Sequence, residues 1–472
     1  MTPRAKNRPP AEAGRAPVVS LVSLGCPKNQ VDSERMLARL SGEGFHVAGD
    51  PASADLIVVN TCGFIEAAKR ESIETILEMS SLKGGRCRGL VVTGCLGERY
   101  KDELKAEIPE ADIVLGLGGP ESVVDACRDL WLKSGRQDSK QSGRLLKNPS
   151  PLRGGEGGVR GRIRIGPPHL AYVKIAEGCD RACAFCAIPA IRGHFHSRPP
   201  EEIEAEVKAL VREGVREVSL VSQDTVFYGR DRGRKGALAD LVRRLAGVRG
   251  LTWLRVHYLY PTGIDDELLR VMAGEEKVCR YVDMPIQHAD DAVLKRMGRA
   301  GKRADLEKVL NRIRKIVPEA AVRTTVLVGH PGEDGRAFQN LLEFIQAARF
   351  DHLGVFTYSS EEGTASFSAG PVVPPEEAEA RRAEIMHVQE GISASRLREM
   401  VGRTVPVMLD GPSEEHQSLL SGRTEHQAYD VDGVVYLSDT PPGTRSPAPG
   451  SVVPVLVTES HTHDLVGRPS RA

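Results

Sequence analysis

Along the first third of the chain, short β-branched runs alternate with stretches of helical spacing. The runs are VVSLVSL (18–24), ADLIVVN (54–60), RGLVVTG (88–94) and ADIVLGLGG (111–119). Between them, residues 31–44 set Val31, Met36, Leu37 and Leu40 at helical spacing and end on glycine, and FIEAAKRESIETILEMSS reads as a second helix. Strands alternating with helices predict an open parallel α/β domain over 17–135. From 169 to 400 the alternation resumes with AYVKIAEG, EVSLVSQD, TWLRVHYL, YVDMPIQH, VRTTVLVG and HLGVFTYS as strands. Helical stretches such as EEIEAEVKALVREG and DDELLRVMAG separate them, and 376–399 reads as a charged closing helix. Six β/α units predict a partial (β/α)6 barrel with its chemistry at the C-terminal strand ends. Over 401–467 the texture changes to TVPVMLDG, AYDVDGVVYL and SVVPVLVTESHTHDLVG, which predicts a small β-barrel.

Two segments lack this patterning. Residues 1–16 are basic and rich in Pro and Ala, without the apolar stretch of a secretory signal, and read as a disordered tail. Residues 136–168 read as a Ser-, Gly- and Pro-rich linker carrying eight Lys or Arg against Asp138 and Glu156, a net of +6. That composition suits a solvated linker, and also a secondary contact to RNA.

Charge changes the picture only locally. Lys+Arg and Asp+Glu each total 64 in 472 residues, so no global field draws the protein to nucleic acid or membrane. No apolar run reaches the length of a spanning helix. From Val401 on, the chain carries five arginines against nine carboxylates, a net of −4, which suits a basic protein better than a phosphate backbone. Nine cysteines without an export signal place the chain in a reducing, cytoplasmic compartment, and point to metal or catalysis rather than disulfides.

Cys179, Cys183 and Cys186 form CxxxCxxC in EGCDRACAFCAIP. Three thiolates on one loop can hold three corners of a 4Fe–4S cube, and the missing fourth leaves an iron open to a ligand. Zinc usually takes four ligands in two spaced pairs, and a zinc-stabilised adaptor is the rival reading. Cys26, Cys62 and Cys95 each follow a predicted strand end, in SLGCPKN, VNTCGFI and VTGCLGE. In a parallel sheet those ends share one edge, so the three thiols are expected to converge. Glycine beside each cysteine is expected to let backbone approach a bulky inorganic ligand. Cys87, Cys127 and Cys279 have no such context and carry no predicted function.

Together the two cysteine sets resemble those of the radical S-adenosylmethionine methylthiotransferases, over nearly the whole chain after residue 17. The segments SLGCPKNQVDSE, NTCGFIEAAKRESI, KIAEGCDRACAFCAIPAIRG, LVSQDT, LRVHYLYP and MPIQHADDAVLKRM resemble one branch, which modifies an aspartate of small-subunit ribosomal protein twelve. The competing branch, transfer-RNA adenosine 2-methylthiotransferases, tends to carry GCQMN where this chain has GCPKN. The resemblance implies a radical barrel and a TRAM-type C-terminal barrel. It also implies two 4Fe–4S clusters, on Cys26–Cys62–Cys95 and Cys179–Cys183–Cys186, with S-adenosylmethionine as radical source and methyl donor. The radical would abstract hydrogen from the aspartate β-carbon, a bond too weakly acidic for acid–base chemistry. Phe185, Gln223, Asp224, Arg255 and the Gly329–Gly332 backbone are then the expected cofactor contacts. Gln287 and His288 end another strand, His288 with a structural role. The motif GHPGE carries His330 where the family more often has Phe, and His330 reads as packing or rim. The implied partners are the ribosomal protein, free or assembled, and an electron donor such as flavodoxin or ferredoxin; no catalytic residue beyond the cluster ligands is indicated.

Overall fold

The structure, a computed structural model, describes residues 15–136, 161–413, 415, 419–438 and 447–470. Most of the predicted tail and linker lies outside these residues. The chain forms two compact units: residues up to Ile165 together with Ala187–Gly193, and Gly166–Cys186 together with His194 onward.

The first unit is built on a parallel sheet of β1 (Val18–Ser23), β2 (His46–Val47), β3 (Leu56–Thr61), β4 (Gly89–Gly94) and β5 (Ile113–Val114), in the order β2-β1-β3-β4-β5. Strands β3 and β4 are buried throughout, as the unbroken apolar runs demand of a sheet covered on both faces. Ile57, Val59, Leu90 and Val92 pack on Ile76 and Met79 of helix α2 (Glu66–Ser81). Val19, Val58 and Val91 face Met36 and Leu40 of α1 (Pro27–Gly42) and Val123 of α5 (Gly119–Arg136). Helices α3 (Cys95–Arg99) and α4 (Lys101–Glu107) follow β4, and α6 (Ile188–Arg192) completes the unit. The exposed two-residue edge strand β2 has no signal in the pattern.

Both unpatterned segments are anchored at their described ends. Arg15, inside the predicted tail, pairs at 2.6 Å with the buried Asp55. Arg162, inside the predicted linker, is buried against Glu34 of α1, and the Ile163 and Ile165 amides donate to Glu34 at 3.0 and 3.1 Å. Arg162 is therefore spent on an ion pair and is removed from the basic segment proposed to meet RNA.

In the second unit, β6 (Leu170–Lys174) leads into a two-stranded hairpin, β7 (Ala176–Glu177) with β8 (His196–Ser197). Strands β9 (Glu217–Val221) and β10 (Trp253–Val256) join β6 in one parallel sheet, while β11 (Tyr281–Asp283), β12 (Ala321–Val328) and β13 (His352–Thr357) form another. These are the six predicted strands. The C-terminal strands β14 (Thr404–Pro412), β15 (Leu420–Arg423), β16 (Val435–Leu437), β17 (Val452–Ser460) and β18 (Leu465–Pro469) close into a barrel around Val407, Leu409, Val435, Val455 and Val457. The polar, Gly-containing strand β15 was not expected.

This small barrel seats on the strand starts of the larger one, and that seam takes up charges the sequence had suggested for other uses. Arg255, expected at a cofactor, lies in this seam. It is fully buried, pairs with Glu217 at 2.9 Å and donates to the Glu425 carbonyl at 2.7 Å. Glu217 opens β9, so the Arg255 side chain runs toward the N-terminal end of the strands, away from the rim that follows them. The net charge of −4 is only partly a surface charge. Asp410 is bound by Arg423 and His169, Glu425 by Arg280, and Asp432 by Tyr281 and Arg323, all within this unit. Three of the nine counted carboxylates are consumed by the seam.

Candidate cluster sites

The sheet register sets Ser23 beside Asn60 and Asn60 beside Thr93, so β1, β3 and β4 end level. Cys26 caps α1, Cys62 follows β3, and Cys95 opens α3, bringing the three cysteines to one edge. The glycines let the loops approach one another. A Cβ on Gly25 (φ +88°) would stand 2.8 Å from Cys62 Cβ, and one on Gly63 would stand 2.7 Å from Leu96 Cα.

Burial raises the Cys62 thiol to about 11, and it raises the Cys95 thiol against the pull of Arg192. Cys26 is half-buried, and although desolvation opposes it, Lys28, the Asn29 amide and Arg192 bring its thiol below the usual range. The three thiols thus differ in how readily each loses its proton, and a bound metal, which needs thiolates, would favour release from all three.

Residues that sequence reasoning missed surround these thiols. Asn29 is locked by its own amide, which donates to Leu24 O at 3.0 Å and Thr61 O at 2.9 Å. Arg192 reaches Asn29 Oδ1 at 2.5 Å and Cys95 Sγ at 3.5 Å. Asn29 sits in GCPKN and Arg192 in the IRG after CxxxCxxC, but no periodicity links positions so far apart.

In the second unit, Cys179 is buried while Cys183 and Cys186 are half-exposed. The loop is pinned on both sides by backbone bonds, Ala184 N to Met297 O and Ser366 N to Ala184 O, each 2.8 Å. The Arg181 amide donates to Cys179 Sγ at 3.4 Å, and Arg299 approaches Cys183 Sγ at 3.7 Å. Both guanidiniums stack on the Tyr260 ring, at 3.9 and 4.0 Å. Burial raises the Asp224 carboxyl, and Arg181 opposes it from 2.6 Å. Asp224 therefore holds the loop's own cation, while its chain neighbour Gln223 is half-buried.

Phe185 packs against Val293, Met297 and Leu327, edge-on to His330 at 6.4 Å. His330 is buried and bonded to Ser366 Oγ at 2.8 Å, the packing role expected of it. Gly329 (φ +80°) spends its amide on Glu333 at 2.8 Å, and a Cβ there would meet Ala378 at 2.8 Å. Its smallness serves helix packing. His288 is fully buried 3.6 Å from Glu333, in keeping with its structural reading. Gln287 and Tyr258, each just beyond a strand end, hold φ of 71° and 60°, a left-handed strain that gathers at functional rims.

Among the described residues, no three His, Cys, Asp or Glu side chains close around a single-ion position. A polynuclear cluster does not need that, because each thiolate binds a different iron. Both trios, with their neighbouring cations, fit such a cluster.

Three family profiles match the chain in succession. They are the uncharacterized protein family UPF0004 over 18–116, the radical SAM superfamily over 173–345 and the TRAM domain over 401–469. A ribosomal protein uS12 methylthiotransferase RimO of Anaeromyxobacter sp. (strain K) is 44% identical over 460 residues, covering 96% of this chain and 94% of its own. The RimO of Geobacter sulfurreducens is 42% identical, covering 95% and 98%. The chain belongs to the ribosomal protein uS12 methylthiotransferase family. That family's three-part layout agrees with the folds described above. Among solved structures, the radical S-adenosylmethionine methyltransferase TsrM of Kitasatospora setae matches with a TM-score of 0.51 at 14% identity, covering 73% of this chain and 72% of that one. This likeness concerns the fold alone.

Proposed function

We propose that this chain is a radical S-adenosylmethionine methylthiotransferase that places a methylthio group on the β-carbon of an aspartate in ribosomal protein uS12. The observation that carries the reading is the pair of three-cysteine sites, each with an arginine against one of its sulfurs, in a chain of this family. Cys179, Cys183 and Cys186 would hold one 4Fe–4S cluster and Cys26, Cys62 and Cys95 the other. Bound there with S-adenosylmethionine, these groups supply one-electron carbon radical chemistry and the sulfur and methyl to be transferred.

The chain's own residues bind and orient. Asp224 holds Arg181 over Tyr260, and Arg299 stacks on the same ring, so the loop around Cys183 is fixed before ligand arrives. Phe185, Gln223, Asp224 and the Gly329–Gly332 backbone remain the proposed contacts to S-adenosylmethionine. Arg255 is withdrawn from that set. A flavodoxin or ferredoxin is the proposed electron source. An RNA contact would fall to the basic segment 136–168, most of which lies outside the described residues. No helix among the described residues is long and apolar enough to cross a membrane.

Mass spectrometry of a deletion strain tests the reading. Loss of the methylthio mass from uS12 with transfer RNA unchanged supports it; loss from transfer-RNA adenosine with uS12 unchanged overturns it.

A further inference from the structure

We infer that Arg192 is a positioning residue for the Cys26–Cys62–Cys95 cluster, holding a guanidinium N–H against the Cys95 sulfur and raising the reduction potential of that cluster. The inference rests on the proposed function, since it presumes a cluster on those cysteines.

Arg192 ends the five-residue helix α6, in the segment 187–193 that packs within the first unit. Ala187 and Ile191 of that segment lie in one apolar cluster with Cys95 and Leu117. Arg192 is 8% exposed, too buried to be a solvated surface cation. Two groups aim it. Asn29 Oδ1 accepts from NH2 at 2.5 Å, and Asp32 Oδ2 stands 3.2 Å from NH1 and 3.3 Å from NH2. Asn29 cannot turn its oxygen away, because its amide nitrogen is spent on two carbonyls of neighbouring strand ends. NH2 is thereby directed to Cys95 Sγ at 3.5 Å.

A donor and a positive charge at a ligand sulfur favour the reduced state, which carries one more negative charge. Asp32 offsets part of that charge. Removing Arg192 should therefore lower the potential, and neutralising Asp32 should raise it. A purely structural clamp predicts no such pair of opposite shifts.

The test is a dithionite redox titration of the reconstituted full chain, followed by electron paramagnetic resonance. The Cys179–Cys183–Cys186 cluster of the same molecule serves as reference. Arg192→Gln is expected to shift the reduction equilibrium of the other cluster about tenfold toward the oxidised form, 59 mV for one electron. Asp32→Asn is expected to shift it the opposite way, and it decides the matter alone if Arg192→Gln fails to hold iron. Unshifted potentials in Arg192→Gln, or no rise in Asp32→Asn, overturn the inference. A parent enzyme with about four irons per chain instead of about eight overturns the proposed function instead.

Discussion

Glu217→Leu is expected to loosen the seating of the C-terminal barrel. The Glu217 carboxylate is fully buried, 2.9 Å from Arg255 Nε and 2.8 Å from Arg423 NH2. After the substitution Arg423 keeps Asp410 at 2.9 Å, whereas Arg255 keeps a carbonyl at 2.7 Å as its remaining hydrogen-bond acceptor. A buried guanidinium without a carboxylate costs about 3–5 kcal/mol. Proton linkage gives a similar size. Burial alone would raise the Glu217 carboxyl, but Arg423 and Arg255 hold it at about 2 against an ordinary 4.5. At 1.36 kcal/mol per pH unit this is roughly 3 kcal/mol, present above the unfolded carboxyl's pKa and lost as pH falls toward about 2.

The assay is intrinsic fluorescence during urea unfolding. Trp253 shares an apolar cluster with Met408 and Ala428 of the small barrel, so it reports on this seam. The chain has two tryptophans, and Trp131→Phe silences the other. Adding Arg255→Met should recover most of the loss, because an apolar pair can replace a buried ion pair at little cost. An unchanged urea midpoint in Glu217→Leu, or no recovery in the double variant, would refute the reasoning.

Two further outcomes follow from the sites. Cys26→Ala should drop iron from about eight to about four per chain, keep S-adenosylmethionine cleavage measurable and abolish methylthio product; if cleavage vanishes while the remaining cluster persists, the division of roles between the clusters is wrong. Burial lowers the His330 imidazole to about 4 from 6.5. As pH falls below 6.5 the unfolded chain takes up that proton first, so stability should decline by roughly 3 kcal/mol down to pH 4 and then level. His330→Phe should flatten this stretch of the curve of Tm against pH, and parallel curves for parent and variant would sink the idea.

Much of the fold was legible because its elements are local. Unbroken β-branched runs favour buried strands, and glycine and cysteine around the ends of the first three runs marked where the chain turns into a helix. What stayed hidden lacked such signals. Strand β2 is two exposed residues, β15 is LSGR with a glycine inside, and the anchoring of Arg15 and Arg162 depends on Asp55 and Glu34 far along the chain. The candidate sites divide the same way. The six cysteines were named from spacing and strand ends, while Asn29, Arg181, Arg192 and Arg299 were not.

By itself, the order of residues determined the strands and helices, the edge where Cys26, Cys62 and Cys95 gather, and the CxxxCxxC loop. Each of these follows from neighbours a few positions apart. Only the tertiary structure decided what the charges do. Arg255 sits at a strand end motif yet turns to Glu217 and a carbonyl of the small barrel. Asp410, Glu425 and Asp432 counted as surface acidity yet face the larger barrel. Arg192, 97 residues from Cys95, meets its sulfur. A charge takes its role from the partner it finds in a dry interior, and that partner is chosen by packing rather than by sequence distance.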